Sequence, residues 1–261
     1  MLKSSGTVLL FTLLILGCDD AGDGDVTSGS GTFKVEVFDS PPPDGVDNIF
    51  ITIKEVSVHK AGGGWDTLSQ PEVTLDFLEL INGVTASLVD EPLESGDYTQ
   101  LRLVVADSNT VVINGESYPL KIPSGTETGI KLNLNFTILD DEIIEVMVDF
   151  DASKSIKWTP GNYKLSPVFK VFKKVLSGTV AGSVNNFSGT SIANAVVTAI
   201  TVSSDSVSTV TDSTGAYKLI LLEDSYSLEA SADGFAGADT TYTGVQVQAE
   251  SNLTGFDFIL N

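Results

Sequence analysis

The sequence predicts an all-β fold, two antiparallel β-sandwiches in tandem, and three observations carry that expectation. From Thr32 onward the apolar residues recur with a period of two. In the run from Lys131 to Ile138, Leu132, Leu134, Phe136 and Ile138 alternate with Lys131, Asn133, Asn135 and Thr137, as they do on a strand with one buried face. Short turn signals interrupt these runs at regular intervals, among them Asn114-Gly115, Asp140-Asp141 and Asp212-Ser213-Thr214-Gly215. Only the stretch from Leu75 to Leu80 has apolar residues close enough together for a helical turn.

Taken in order, Ile49, Ile51 and Ile53 share one parity, whereas Val56 and Val58 fall on the other. A phase slip inside one strand is what a β-bulge produces, so a bulge is expected near Lys54-Glu55. The strand from Thr99 to Val105 turns Leu101, Leu103 and Val105 inward and leaves Gln100 and Arg102, the sole arginine, outward. Asn114-Gly115 between apolar flanks predicts a two-residue hairpin. Asp140-Asp141 predicts a second hairpin, joining the 131–138 run to 143–151, where Ile144, Val146, Val148 and Phe150 share a side. The run from Phe169 to Leu176 closes this first unit, and Lys173-Lys174 with Ser177-Gly178 marks a boundary without a long linker. The second unit reads as strands at 178–184, 195–201, 208–211, 217–222, 226–232 and 253–260, with Phe256, Phe258 and Leu260 inward. The predicted organisation is therefore 1–17, 18–31, 32–174 and 175–261, the last two being the sandwiches.

The composition, 42% hydrophobic and 19% charged, is that of a globular chain. A net charge of −21 repels phosphate backbones and argues against nucleic acid as a partner. A single cysteine and a single histidine, His59, leave no disulfide and no histidine-rich zinc site. A nucleophile–histidine–acid triad would have to use His59, and the chain has no Gly-x-Ser-x-Gly elbow.

The N-terminus has Lys3, a short apolar run from Val8 to Leu16, and then Gly17-Cys18. That run is too short to span a bilayer and has the layout of a secretory signal. Leu14-Ile15-Leu16-Gly17-Cys18 resembles the lipobox of bacterial lipoproteins. The resemblance implies removal of 1–17, acylation of Cys18 and anchoring to a membrane of the cell envelope. The Gly-, Ser- and Asp-rich run that follows, DDAGDGDVTSGSG, reads as a flexible tether with a reach of roughly 20 Å. Asp19 resembles the signal that retains enteric lipoproteins in the inner membrane, but other bacteria read the position differently, so outer surface and periplasm both stand.

Two residue pairs are candidates for chemistry. Asp149 and Asp151 lie two apart on a strand whose even positions are buried, so both carboxylates emerge on the less apolar face, with Glu145 on the same side. Their Cα separation of about 6.6–7 Å allows a shared Ca²⁺ if loop oxygens complete its shell. The alternative is two solvated acids or turn caps. As acid and base of a hydrolase the pair is poorly placed, because such carboxylates come from separate strands around a cleft. Trp65, after Gly62-Gly63-Gly64, and Trp158, after Ile156-Lys157, could stack on sugar rings or simply cover the ends of a core.

Several pieces of the second unit are similar to the carboxypeptidase regulatory-like (transthyretin-like) domain: Gly178-Thr179-Val180, the run Ile192-Ala193-Asn194-Ala195, the turn from Thr211 to Tyr217, and Tyr226 to Ala230 leading to Gly234-Phe235. The resemblance implies an accessory sandwich in which Asp212 and Gly215 shape a hairpin and Tyr217 packs. Asn194 stands where the family has glycine, and asparagine tolerates the left-handed backbone. The first unit resembles a domain-of-unknown-function family common in bacterial lipoproteins. The pieces are Phe38-Asp39-Ser40-Pro41-Pro42, the run from Ile53 to His59, Gly96-Asp97-Tyr98-Thr99, Ile122-Pro123-Ser124-Gly125, Asp149-Phe150-Asp151-Ala152 and Tyr163-Lys164-Leu165-Ser166-Pro167. Together these features imply a non-enzymatic, lipid-anchored binding, adhesion or structural protein. Its partners would be a membrane, through Cys18, and a glycan or an envelope protein; a cell-surface carbohydrate-binding lipoprotein is the second reading.

Overall fold

The computed structural model describes residues 29–41, 45–122, 128–159, 162–166, 168–238 and 240–261. Cys18, the lipobox-like run and nearly all of the tether lie outside the described residues. Among the described residues no helix is long and apolar enough to cross a membrane.

The chain is all-β and forms two sandwich modules with separate cores. The first contains β1 (Ser30–Asp39), β2 (Val46–Lys60), β3 (Trp65–Ser69), β4 (Val73–Asp76), β5 (Ala86–Glu94), β6 (Gly96–Val105) and β7 (Thr110–Ile113). It continues with β8 (Glu116–Lys121), β9 (Ile130–Ile138), β10 (Ile143–Phe150), β11 (Ile156–Thr159), β12 (Asn162–Leu165) and β13 (Phe169–Lys173). One sheet runs β13-β10-β1-β5; the other runs β11-β12-β8-β7-β2-β6-β9, with β3 and β4 also on β2. Between them Phe136 stacks on Phe33 and Tyr98 at ring-centroid distances of 4.7 and 5.1 Å. A large side chain buried there contributes about 1.5–3 kcal/mol.

The parity slip in β2 is a bulge: its register against β6 shifts between Ile53 and Glu55, so Ile53 and Val56 both reach the core. A 3₁₀ turn occupies Phe77–Glu79, with Asp76 as its cap. Asn114 and Gly115 take positive φ, 51° and 77°, between paired β7 and β8, as a type I′ hairpin requires.

The expected Asp140-Asp141 hairpin does not form. β9 pairs with β6, while β10 pairs with β1 and β13, so the acidic turn carries the chain from one sheet to the other. The reason lies in the outward faces. On β9 that face is Lys131, Asn133, Asn135 and Thr137, which suits an edge strand facing water. On β10 it includes buried Met147 and Asp149, which suits a central strand covered on both sides. Crossing over also makes β1 and β10 parallel, from Thr32↔Ile143 to Asp39↔Phe150. The sheets are thus mostly antiparallel, as expected, with parallel pairs such as β1–β10 among them.

The second module contains β14 (Ser177–Asn186), β15 (Val196–Thr201), β16 (Ser206–Val210), β17 (Ala216–Leu222), β18 (Asp224–Ser231), β19 (Tyr242–Val247), β20 (Asn252–Thr254) and β21 (Phe258–Leu260). Its sheets are β17-β14-β20, with β21 also on β14, and β16-β15-β18-β19. β20 and β21 run parallel to β14. The single last strand expected at 253–260 is broken into β20 and β21 at Gly255, which has φ +86°, and there the Phe256 backbone passes so close to Gly182 of β14 that a Cβ would stand 2.0 Å from the carbonyl oxygen. Asp212 Oδ1 accepts hydrogen bonds from the Thr214 and Ala216 N–H groups, Gly215 has φ +77°, and Asn194 has φ +59°. These are the backbone roles that the resemblance implies for the turn residues.

Candidate functional site

Alternation decides where each candidate falls. On β1 and β10 the residues Phe33, Val35, Val37, Ile144, Val146, Val148 and Phe150 fill the first core. The opposite face of the same two strands carries Glu36, Phe38, Glu145, Met147 and Asp149. That face does not meet water as a bare surface. Phe38, Met147 and Phe172 form a small apolar cluster against which Ile220 of the second module packs. The face that the sequence marks as less apolar is therefore the seat of the second module.

Asp149 lies in this junction, 4% exposed, and Asp151 is 7% exposed. The two carboxylates have different employments. Asp151 caps the four-residue helix α1 (Ala152–Ser155), its Oδ1 accepting from the Lys154 N–H at 3.0 Å and its Oδ2 pairing with Lys154 Nζ at 2.7 Å. Asp149 accepts a long hydrogen bond from the Ser40 hydroxyl (3.5 Å) and lines a cavity of about 170 Å³ between the modules, with Lys170, Asp205 and Asp224. Both acids are buried, contrary to the solvated pair of the alternative expectation. Asp39 is a third buried acid, missed in the sequence. Its Oδ1 accepts from the Ser40 and Ala152 N–H groups, and its Oδ2 has no hydrogen-bond partner. Burial pushes Asp39 well above the ordinary carboxylate range, with Asp149 and Asp151 adding to the effect. Burial, reinforced by Asp151, raises Asp149 to about 6, against the opposing pull of Lys170. Among the described residues no group of three or more His, Cys, Asp or Glu is disposed to hold a metal ion.

Trp65 stands on the outer face of the larger sheet, opposite His59 in the β2–β3 register. The rings meet edge to face at 5.1 Å. The Arg102 guanidinium lies over the indole at 4.4 Å and Lys131 Nζ at 5.6 Å. Arg102 is itself fixed by Glu55 (2.8 Å) and by the Ser57 hydroxyl (2.8 Å), and Ser57 is fully buried beneath this layer. Trp65 is thus a half-buried cover whose π surface is engaged by cations. Trp158 is placed by its register on β11, opposite Tyr163 of β12. The structure does not bring Trp65 into a shared site with the aspartates.

One hollow was not expected at all. Beside the apolar contact the two modules diverge and leave a cleft of about 700 Å³. Lys174 sits in it, pairing with Glu145 at 3.2 Å and Glu36 at 3.5 Å. Across the cleft Asn82 clamps the modules. Its N–H donates to Thr209 Oγ1 (2.9 Å), its Nδ2 donates to the Ala216 carbonyl (3.3 Å), and its Oδ1 accepts from the Lys218 N–H (2.5 Å). The backbone signal was Asn82-Gly83, both with positive φ, 59° and 75°. The chemical signal was Lys173-Lys174, readable in sequence only as a boundary.

Residues 30–167, more than half of the chain, match a domain of unknown function, DUF4382, and residues 179–261 match the carboxypeptidase regulatory-like domain. No curated protein matches the chain. Among solved structures, the Bacillus anthracis TIE protein is similar at 15% identity and TM-score 0.29, covering 88% of this chain and 34% of that one, so the chain spans about a third of its length. Shaft pilin SpaA of Lactobacillus rhamnosus GG aligns at 10% identity and TM-score 0.29, covering 90% and 97% of the two chains. GBS52, a minor pilin of Streptococcus agalactiae, aligns at 9% identity and TM-score 0.27, covering 88% and 96%. Likenesses this weak assign no role to this chain.

Proposed function

The chain belongs to the family defined by the domain of unknown function DUF4382, and from that premise we propose that it is a non-enzymatic, lipid-anchored envelope protein that acts as a binding module. The observation that carries this reading is the joint. A second, accessory-type sandwich is seated on the outer face of the first through an apolar cluster and a three-bond clamp at Asn82, and a ligand-sized cleft is left between them. Sites of this kind between modules bind ligands without requiring a reactive group. The lipobox-like run before Cys18 supplies the anchor, and several acyl chains on one cysteine hold a protein at a membrane durably, where a single chain does so only marginally.

Mass spectrometry of the N-terminal peptide from the native host tests the anchor. The expected peptide begins at Cys18 and carries acyl chains. An unmodified cysteine on a freely released product overturns the reading. Protease shaving of intact cells then distinguishes the outer surface, where the protein is degraded, from the periplasm, where it is protected.

A further inference from the structure

We infer that the 700 Å³ cleft between the modules is a binding site for a neutral oligosaccharide, an inference that rests on the binding-module reading and supplies its ligand class. The argument is one of charge and of hydrogen-bonding capacity. The cleft is lined by Glu36, Glu145, Lys173 and Lys174 from the first module and by Lys218 and Glu250 from the second. Three carboxylates and three ammonium groups cancel, in a chain whose net charge is −21. An anion entering here gains no net local charge and is opposed by the field of the whole protein. A cation likewise gains no net local charge from the lining. A wholly apolar ligand would strip water from all six charges without replacing their hydrogen bonds, at a cost of several kcal/mol.

A polyhydroxylated neutral chain has none of these faults. Each hydroxyl donates to a carboxylate or accepts from an ammonium group, and charge-assisted bonds of this kind are about twice as strong as neutral ones. The walls also carry hydrophobic surface for the C–H faces of a sugar ring. Ile143 and Val175 line the cleft and remain 59% and 51% exposed, large apolar side chains left in water beside the charges. Thr179 and Asn252, held to one another at 2.8 Å, add neutral donors and acceptors on the second wall. The volume falls in the range of about 300–1,000 Å³ that small-ligand sites occupy. The walls are preorganised: Lys174 is fixed by its two glutamates, and the backbone of Lys218 is held by Asn82.

The test is isothermal titration of the full folded chain with maltotriose, cellotriose and tri-N-acetylchitotriose, and with trigalacturonate as the acidic counterpart. At least one neutral trisaccharide is expected to bind, and trigalacturonate at least tenfold more weakly. Lys218→Met and, as a second variant on an exposed turn, Glu250→Gln should each weaken that binding at least tenfold with the melting temperature preserved, while Trp65→Ala leaves it unchanged. Absence of binding by all three neutral sugars, tighter binding of trigalacturonate, or binding abolished by Trp65→Ala but untouched by both cleft variants would each overturn the inference. None of these results bears on acylation of Cys18, so failure here is distinct from failure of the anchor.

Discussion

Asn82 Oδ1, in the first module, accepts a hydrogen bond from the backbone N–H of Lys218, in the second, at 2.5 Å. With the bond from the Asn82 N–H to Thr209 and that from its Nδ2 to Ala216 it completes a clamp on two strands of the neighbouring sandwich, β16 and β17. Net contributions of about 0.5–1.5 kcal/mol per bond give the side chain's two bonds a worth of about 1–3 kcal/mol. Asn82→Ala is expected to loosen the junction without unfolding either core. Calorimetry is then expected to resolve two transitions, against one expected for the native chain, and the 174–177 link should become protease-sensitive. A single unshifted transition contradicts the clamp.

Gly83 is a sharper probe of the same turn. It has φ +75°, and a Cβ there would stand 2.9 Å from Lys218 Cδ. Gly83→Ala should therefore cost about 1 kcal/mol from the backbone alone and more if the Lys218 stem cannot move aside. A melting temperature equal to that of the native chain would show that the turn is not held as described.

The bulge in β2 was legible because a parity slip between Ile53 and Val56 has few other physical causes. The hairpin expected at Asp140-Asp141 failed because alternation reports only that a strand has one buried face. It does not report which sheet the strand joins. The junction was concealed for a related reason. Glu145, Met147 and Asp149 on one face read as a solvent face with acids on it, and Met147 was the discordant residue. Phe38 was a second such mark, falling on the parity of Lys34 and Glu36 rather than of Phe33, Val35 and Val37. The cleft was illegible because its lining is split between modules that meet only in three dimensions, Lys173 and Lys174 on one side and Lys218 and Glu250 on the other.

The buried acids make stability depend on pH in an unusual direction. Asp149 is raised from 3.8 to about 6, and Asp39 is also raised; the groups facing Asp149 are Asp151, which raises it, and Lys170, Lys154 and the Ser40 hydroxyl, which lower it. A carboxyl whose folded value lies above its unfolded value stabilises fully below the unfolded value. That contribution is lost as pH rises through about 6 for Asp149. The full loss is about 2–3 kcal/mol, spread between about pH 4 and pH 6, so that about half of it falls between pH 5 and pH 8. Chemical denaturation at pH 5 and pH 8 should show the chain more stable at pH 5 on this account, and Asp149→Asn should remove most of the difference while raising stability at pH 8. An equal pH dependence in the variant assigns the effect to other groups.

Trp65 is expected to act as a cover. Trp65→Ala removes the ring on which Arg102 rests and opens fully buried Ser57 to water. A half-buried tryptophan with two cation–π contacts should cost about 1–3 kcal/mol. Arg102→Ala in the same background should cost about 0.5–1 kcal/mol less than it does alone, since the two share one contact. Additive losses in that double-mutant cycle would mean that the stacking carries no energy.

Calcium is the remaining question at Asp149 and Asp151, and their partners settle what to expect. An ion between them would have to compete with the Lys154 N–H for one oxygen of Asp151 and with Lys154 Nζ for the other. A hard cation that prefers six to eight oxygens finds only part of that number free here. Adding 5 mM calcium, roughly the upper range of extracellular-module affinities, should therefore leave the melting temperature unchanged. A rise that Asp149→Asn abolishes would instead show that Asp149 is a calcium ligand.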